Sequence, residues 1–114
     1  MSDTLFGKII RREIPADIVY EDDDVLAFRD IAPAAPVHVL FIPKNPIATM
    51  NDATDADAEL IGKLVLAAAR WAKAQGFAEN GYRLVTNCNK DGGQTVFHIH
   101  LHLLAGRQMY WPPG

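Results

Sequence analysis

The stretch Val96-Phe97-His98-Ile99-His100-Leu101-His102-Leu103-Leu104 constrains this chain more than any other, because regular alternation of histidine with a large apolar residue suits an extended backbone. Extended, it puts His98, His100 and His102 on one face and Phe97, Ile99, Leu101 and Leu103 on the other. The apolar face asks for a core; the histidine face is left for chemistry. Three of the chain's four histidines fall within these five residues, and imidazole is the side chain suited to proton exchange or nucleophilic attack near neutral pH.

Three readings of that row stay open on spacing alone: a catalytic row, a metal site and a structural histidine strand. Zinc holds its nitrogen ligands at about 2.0–2.1 Å, whereas strand geometry sets the outer histidines on the order of 13 Å apart at Cα, so all three do not easily share one ion. Gly92-Gly93, just before the row, favours catalysis, because backbone without Cβ atoms can approach a phosphate and point N–H groups at it.

A length of 114 residues predicts one domain spanning 1–114, with 105–114 as a C-terminal tail. Eleven basic against fourteen acidic side chains give a net charge of −3, which excludes an electrostatic case for a nucleic-acid partner. The polar start Met1-Ser2-Asp3-Thr4 and the early Gly7-Lys8 break argue against a secretory signal, and no apolar run approaches membrane-spanning length. Cys88 is alone, so no disulfide forms within the chain, and the expected location is the cytoplasm.

Along the chain, Thr4 to Ile14 reads as a short helix with Thr4 as cap and Pro15 closing it. Strands are expected at Ile18 to Glu21 and Val25 to Asp30, joined by a solvated turn at Asp22-Asp23-Asp24, and at Val37 to Ile42. Thr54-Asp55-Ala56-Asp57 opens a long helix whose stripe Leu60, Ile61, Leu64, Val65, Ala68, Trp71 and Ala72 packs on a sheet and which Gly76 ends. Gly81 to Cys88 reads as a strand whose short loop, Asn89 to Gln94, returns as a hairpin into the histidine strand and brings Asn87 near it. One long helix among strands joined by turns predicts an α+β domain: a mostly antiparallel sheet of about five strands with one long and one short helix.

With these residues assembled, the chain resembles the histidine triad (HIT) superfamily, in particular its Hint branch of nucleotide-binding proteins. The resemblance rests on His98-Ile99-His100-Leu101-His102-Leu103-Leu104, on Phe6-Gly7-Lys8-Ile9-Ile10-Arg11-Arg12-Glu13-Ile14-Pro15-Ala16, on Asp30-Ile31-Ala32-Pro33 and Ala35-Pro36-Val37-His38, and on the closing Gly106-Arg107-Gln108-Met109-Tyr110-Trp111-Pro112-Pro113-Gly114. It implies a HIT-like fold and hydrolysis of purine nucleoside 5′-phosphoramidates through a nucleotidyl-histidine, with no metal and no other cofactor. His100 then matches the nucleophile, His98 and His102 its flanking members that position it and contact phosphate, and His38 a supporting histidine. Asp30 matches a carboxylate on the ribose hydroxyls, Asn87 a polar contact to phosphate and ribose, and Phe6, Ile9, Ile14, Phe28, Ile31 and Leu40 an apolar base pocket. Gly93, Gln94 and Thr95 are expected to donate hydrogen bonds to phosphate or the leaving group. The resemblance also implies a homodimer in which Trp111 reaches the partner's site at the leaving group.

Two departures stand out. Thr95 stands where relatives generally carry serine, keeping the hydroxyl on a stiffer side chain. Asn45-Pro46 replaces a more basic, histidine-containing segment. Strand alternation turns Cys88 away from the triad if Asn87 faces it, which argues against a thiol nucleophile. A purine nucleotide-binding sensor or scaffold without turnover is the alternative function.

Overall fold

A computed structural model describes residues 3–114; Met1 and Ser2, half of the polar start, lie outside the described residues. Five strands form one antiparallel sheet in the order β1-β2-β3-β5-β4. They are β1 (Ile18–Glu21), β2 (Val25–Arg29), β3 (Val37–Pro43), β4 (Arg83–Val85) and β5 (Leu101–Ala105). Helix α1 is Leu5–Ile10, α2 is Ala58–Ala74 and α3 is the single turn Asn89–Gly92, a helix beyond the two expected.

Alternation along the strands builds two cores. Val25, Ala27, Val39, Phe41, Leu101 and Leu103 face α2 and meet Leu64, Ala67, Ala68, Trp71 and Ala72. Trp71 is a core residue, its ring 6.1 Å from that of Phe41. The opposite face carries Leu26, Phe28, Leu40 and Ile42, capped by Phe6 and Ile9 of α1. His38 and His102 sit at positions of this second parity, so both imidazoles belong to the α1 face of the sheet.

Both main helices end on left-handed caps. In α1, Thr4 accepts from Gly7 N at 3.1 Å, and the helix stops at Ile10, earlier than Pro15 alone predicts. Arg12 there adopts φ 63° while Arg12 N and Glu13 N bond back to Ile9 O and Lys8 O. Gly76, at φ 88°, ends α2 as expected, with Gly76 N and Phe77 N bonded to Lys73 O and Ala72 O. Thr54 caps a separate 3-10 turn, Asp55–Asp57, and α2 follows from Ala58. The acidic turn is a hairpin: Asp22 Oδ1 accepts from both Asp24 N and Val25 N at 2.8 Å.

The last hairpin departs most from expectation. β4 is only three residues long and pairs Val85 with His102, and His98 and His100 lie in irregular backbone ahead of β5. The hydrogen bonds that a longer hairpin would use go elsewhere: Ile99 N donates to Ile47 O at 2.7 Å, and the side chains of His98 and Gln94 bond to Pro43 O and Ala48 O. Phe97 consequently points outward at 45% exposure instead of joining Ile99 in the core. Ala105 pairs with Val37 as the last residue of β5, so the tail begins at Gly106.

Candidate active site

Each imidazole is held in one tautomer by what it touches. Ala34 N can only donate, and it lies 3.0 Å from His38 Nδ1; that nitrogen therefore accepts and the proton sits on Nε2. His38 Nε2 donates to His102 Nδ1 at 2.9 Å, which leaves the His102 proton on Nε2. Asp30 Oδ2 lies 3.5 Å from the same His38 nitrogen, and its Oδ1 accepts from Ala32 N. Burial depresses the basicity of His38, opposed by Asp30, and pushes His102 down to about 4, with His100 and His38 adding to the effect. Both rings are neutral at pH 7.

His100 is set the opposite way. Its Nδ1 lies 2.9 Å from His98 O, a carbonyl that can only accept, so Nδ1 carries a hydrogen and the neutral form of the ring has its lone pair on Nε2. Thr86 Oγ1 donates to His100 O at 3.0 Å, fixing the backbone of the same residue. The Phe6 ring stands edge-on to His100 at 5.0 Å, and the His100 and His102 rings are 4.9 Å apart. An imidazole offering a lone pair thus lies beside one offering an N–H.

His98 is not the mirror image of His102. Its ring is 1% exposed and its Nε2 donates to Pro43 O at 2.7 Å, while Nδ1 has no partner among the described residues. Burial lowers its basicity, with the Pro43 bond opposing. The ring is enclosed, and the His98 carbonyl is the group that touches the His100 imidazole.

Other expected residues divide similarly. Phe6 and Ile9 of α1 are buried against Phe28 and Leu40 of the sheet, and Ile14 packs against them. Ile31 does not join them: it is 99% exposed, because the Asp30 side chain caps Ala32 N and turns the loop outward. Asn87 is half-buried and shares with His38 and His102 the wall of a cavity of about 510 Å³. Gly93, at φ 82°, and Thr95 are exposed. Gln94 is the clear correction: Nε2 donates to Ala48 O at 2.8 Å and Val96 O at 3.0 Å, so its amide hydrogens serve the fold and not a ligand. Thr86 was missed by sequence reading, since a threonine just past a strand carries no mark of bonding to the His100 backbone.

Asp30, His38 and His102 also offer ligand atoms within 4.8 Å of one another, the one grouping of metal-ligand type among the described residues. Of the three histidines in the row, His102 alone belongs to that grouping. Trp111 is 83% exposed and Tyr110 72%, while Tyr110 O accepts from Arg83 Nη2 at 2.9 Å, pinning the tail backbone and leaving its rings outside.

The HIT domain family matches residues 11–109 of the chain. The chain belongs to the HIT family. Among curated relatives, an uncharacterised HIT-like protein of Synechococcus elongatus is 61% identical over 98% of this chain and 97% of its own length. The purine nucleoside phosphoramidase of Escherichia coli is 54% identical over 94% of this chain and 90% of its own. Among solved structures, a HIT family hydrolase from Legionella pneumophila superposes with a TM-score of 0.95 at 59% identity, covering 96% of this chain and 98% of that one. A histidine triad protein from Clostridium difficile gives 0.92 at 41% identity, covering 96% of each chain. The antiparallel sheet with its flanking helices is the HIT-like fold.

Proposed function

We propose that this HIT protein hydrolyses purine nucleoside 5′-phosphoramidates through a nucleotidyl intermediate on His100. The observation that carries the reading is the pair of opposed tautomers: His100 Nε2 with a lone pair, beside His102 with its proton on Nε2. The similarity to a purine nucleoside phosphoramidase supports the substrate class. In the first step His100 Nε2 attacks the α-phosphorus in line, and the P–N bond breaks as the amine takes up a proton from solvent through the Thr95 hydroxyl. His102 Nε2–H and the Gly93 backbone stabilise the phosphoryl oxygens. Water then cleaves the new P–N bond, releasing the nucleotide and a proton and restoring His100. His38 holds His102 in the donating tautomer. Asp30 and Asn87 serve the ribose and phosphate. Phe6, Ile9, Ile14, Phe28 and Leu40 form the floor of the base pocket, and exposed Ile31 is covered when the base arrives.

The protein works as a homodimer in the cytoplasm in this account. β4 leaves one edge of the sheet unpaired, and the exposed rings of Tyr110 and Trp111 are apolar surface awaiting a partner. Among the described residues no helix is long and apolar enough to cross a membrane.

The Asp30, His38 and His102 grouping favours a second reading, a metal-dependent site. One experiment separates the two: amine release from matched adenosine, guanosine and cytidine phosphoramidates, before and after exhaustive chelation. We expect turnover to survive chelation and both purines to exceed cytidine by about tenfold or more in kcat/KM, since an apolar pocket reads stacking area more than base edges. Activity restored only by added metal would favour the second reading, and a cytidine substrate equal to the purines would remove the base-pocket assignment.

A further inference from the structure

We infer that Gln94 is a positioning residue for the proposed reaction: its buried side-chain amide laces the histidine loop to the segment Pro43–Ala48 and thereby sets where the His100 imidazole stands. This rests on the reading of His100 as nucleophile. Gln94 is 7% exposed. Its Oε1 accepts from Asn89 N at 2.9 Å, and its Nε2 donates to Ala48 O and Val96 O. A primary amide has two hydrogens to give, and both are given to backbone. Whatever Gln94 contributes to chemistry passes through what it holds.

What it holds leads to His100. Between Gln94 and His100 the backbone is irregular and unpaired with β4. It is fastened by three bonds to one neighbouring segment: Gln94 Nε2 to Ala48 O, Ile99 N to Ile47 O, and His98 Nε2 to Pro43 O. The carbonyl of His98, in the middle of this lacing, is the group that holds His100 Nδ1–H. Pro46 stiffens the segment that receives the bonds. Removing the Gln94 tie frees the loop at the end that also carries Gly93 and Thr95. A displacement of about an ångström at a reacting atom is enough to lower a rate by about a hundredfold, whereas binding area is untouched.

Two variants test this: Gln94→Met, of similar reach with no amide hydrogens, and Gln94→Glu, which keeps an acceptor for Asn89 N. Three quantities are measured on each: kcat and KM for adenosine 5′-phosphoramidate, affinity for AMP, and the exchange rate of the His100 Nδ1–H proton by NMR. Gln94→Met should lose about tenfold or more in kcat with KM and AMP affinity within about threefold, and should exchange that proton about tenfold faster. Gln94→Glu should fall between it and the wild type, and carries the comparison where Gln94→Met does not fold. Unchanged kcat with unchanged exchange would overturn the inference. AMP affinity falling in step with kcat would overturn it too, by making Gln94 a direct phosphate contact. A wild type without turnover would count against the proposed activity alone, since the exchange rates still decide the role of Gln94.

Discussion

At the residue scale the site is governed by which nitrogen of each histidine carries a proton. Backbone groups with one option each, Ala34 N, Pro43 O and His98 O, make that choice. Keeping His38, His98 and His102 neutral in a buried setting has a consequence for stability. Their folded-state pKa values lie below the ordinary value, so the unfolded chain binds the protons more readily. The stability they contribute is therefore present above about pH 6.5 and is lost as pH falls toward the value of about 4 held by His102. Discounted for the part of the ring that solvent reaches, His102 accounts for about 2 kcal/mol of this loss. Melting temperature should fall as pH goes from 7 to 4.5, and His102→Asn should flatten that slope; parallel curves for the two proteins would contradict the assignment. Alternation singled out His98, His100 and His102 in the sequence and the family resemblance added His38, and the structure brings the rings of His38, His100 and His102 side by side. Sequence reading could not foresee that the Gln94 amide hydrogens go to Ala48 O and Val96 O, or that His98 Nε2 goes to Pro43 O, because nothing in a linear string shows those contacts.

At the scale of elements, two glycines make a matched comparison. Gly106 turns the chain out of β5 at φ 94°, and a Cβ there would lie 2.9 Å from Pro36 Cβ. Gly93 ends α3 at φ 82° with open space around the missing Cβ. Left-handed backbone costs alanine about 1–2 kcal/mol at either site, and the Pro36 contact adds packing strain at Gly106 alone. Gly106→Ala should therefore lower the stability measured by denaturant unfolding by about 1 kcal/mol more than Gly93→Ala; equal losses would show that Pro36 yields freely. Strand periodicity located β1, β2 and β3 to within a residue, because their alternating side chains meet a core on each face. It overextended β4 and β5, because the same alternation persists through His98–His100, where the backbone bonds to Ile47 instead of to β4. Local pattern marks extended chain, and only tertiary pairing makes it strand.

For the whole molecule, the tail is the segment that leaves large aromatic rings exposed, Tyr110 and Trp111. Its backbone is pinned by Arg83, and Met109, Tyr110, Pro112 and Pro113 help to wall the cavity that contains His38 and His102. In the proposed dimer the exposed Trp111 ring contacts the partner's leaving group. Deleting residues 109–114 should leave AMP affinity within about threefold and change the ranking of leaving-group amines, because contacts made to a departing group weigh on specificity more than on nucleotide binding. Light scattering should give a dimer for the intact chain. A fully active monomer would defeat the cross-subunit arrangement, and an unchanged ranking would leave the dimer but remove the role of Trp111. The aromatic, proline-rich ending is legible in the sequence as apolar surface, and the structure leaves Tyr110 and Trp111 exposed.

The central claim, that His100 forms the bond to phosphorus, is tested most directly by comparing the wild type with His100→Ala in two assays, phosphoramidate hydrolysis and AMP titration. A nucleophile acts chiefly on the transition state. We expect turnover to fall by about a thousandfold or more while AMP affinity stays within about fivefold. Near-normal turnover in the variant would contradict the covalent mechanism, and a folded wild type that binds AMP yet releases no amine would make the protein a nucleotide sensor instead.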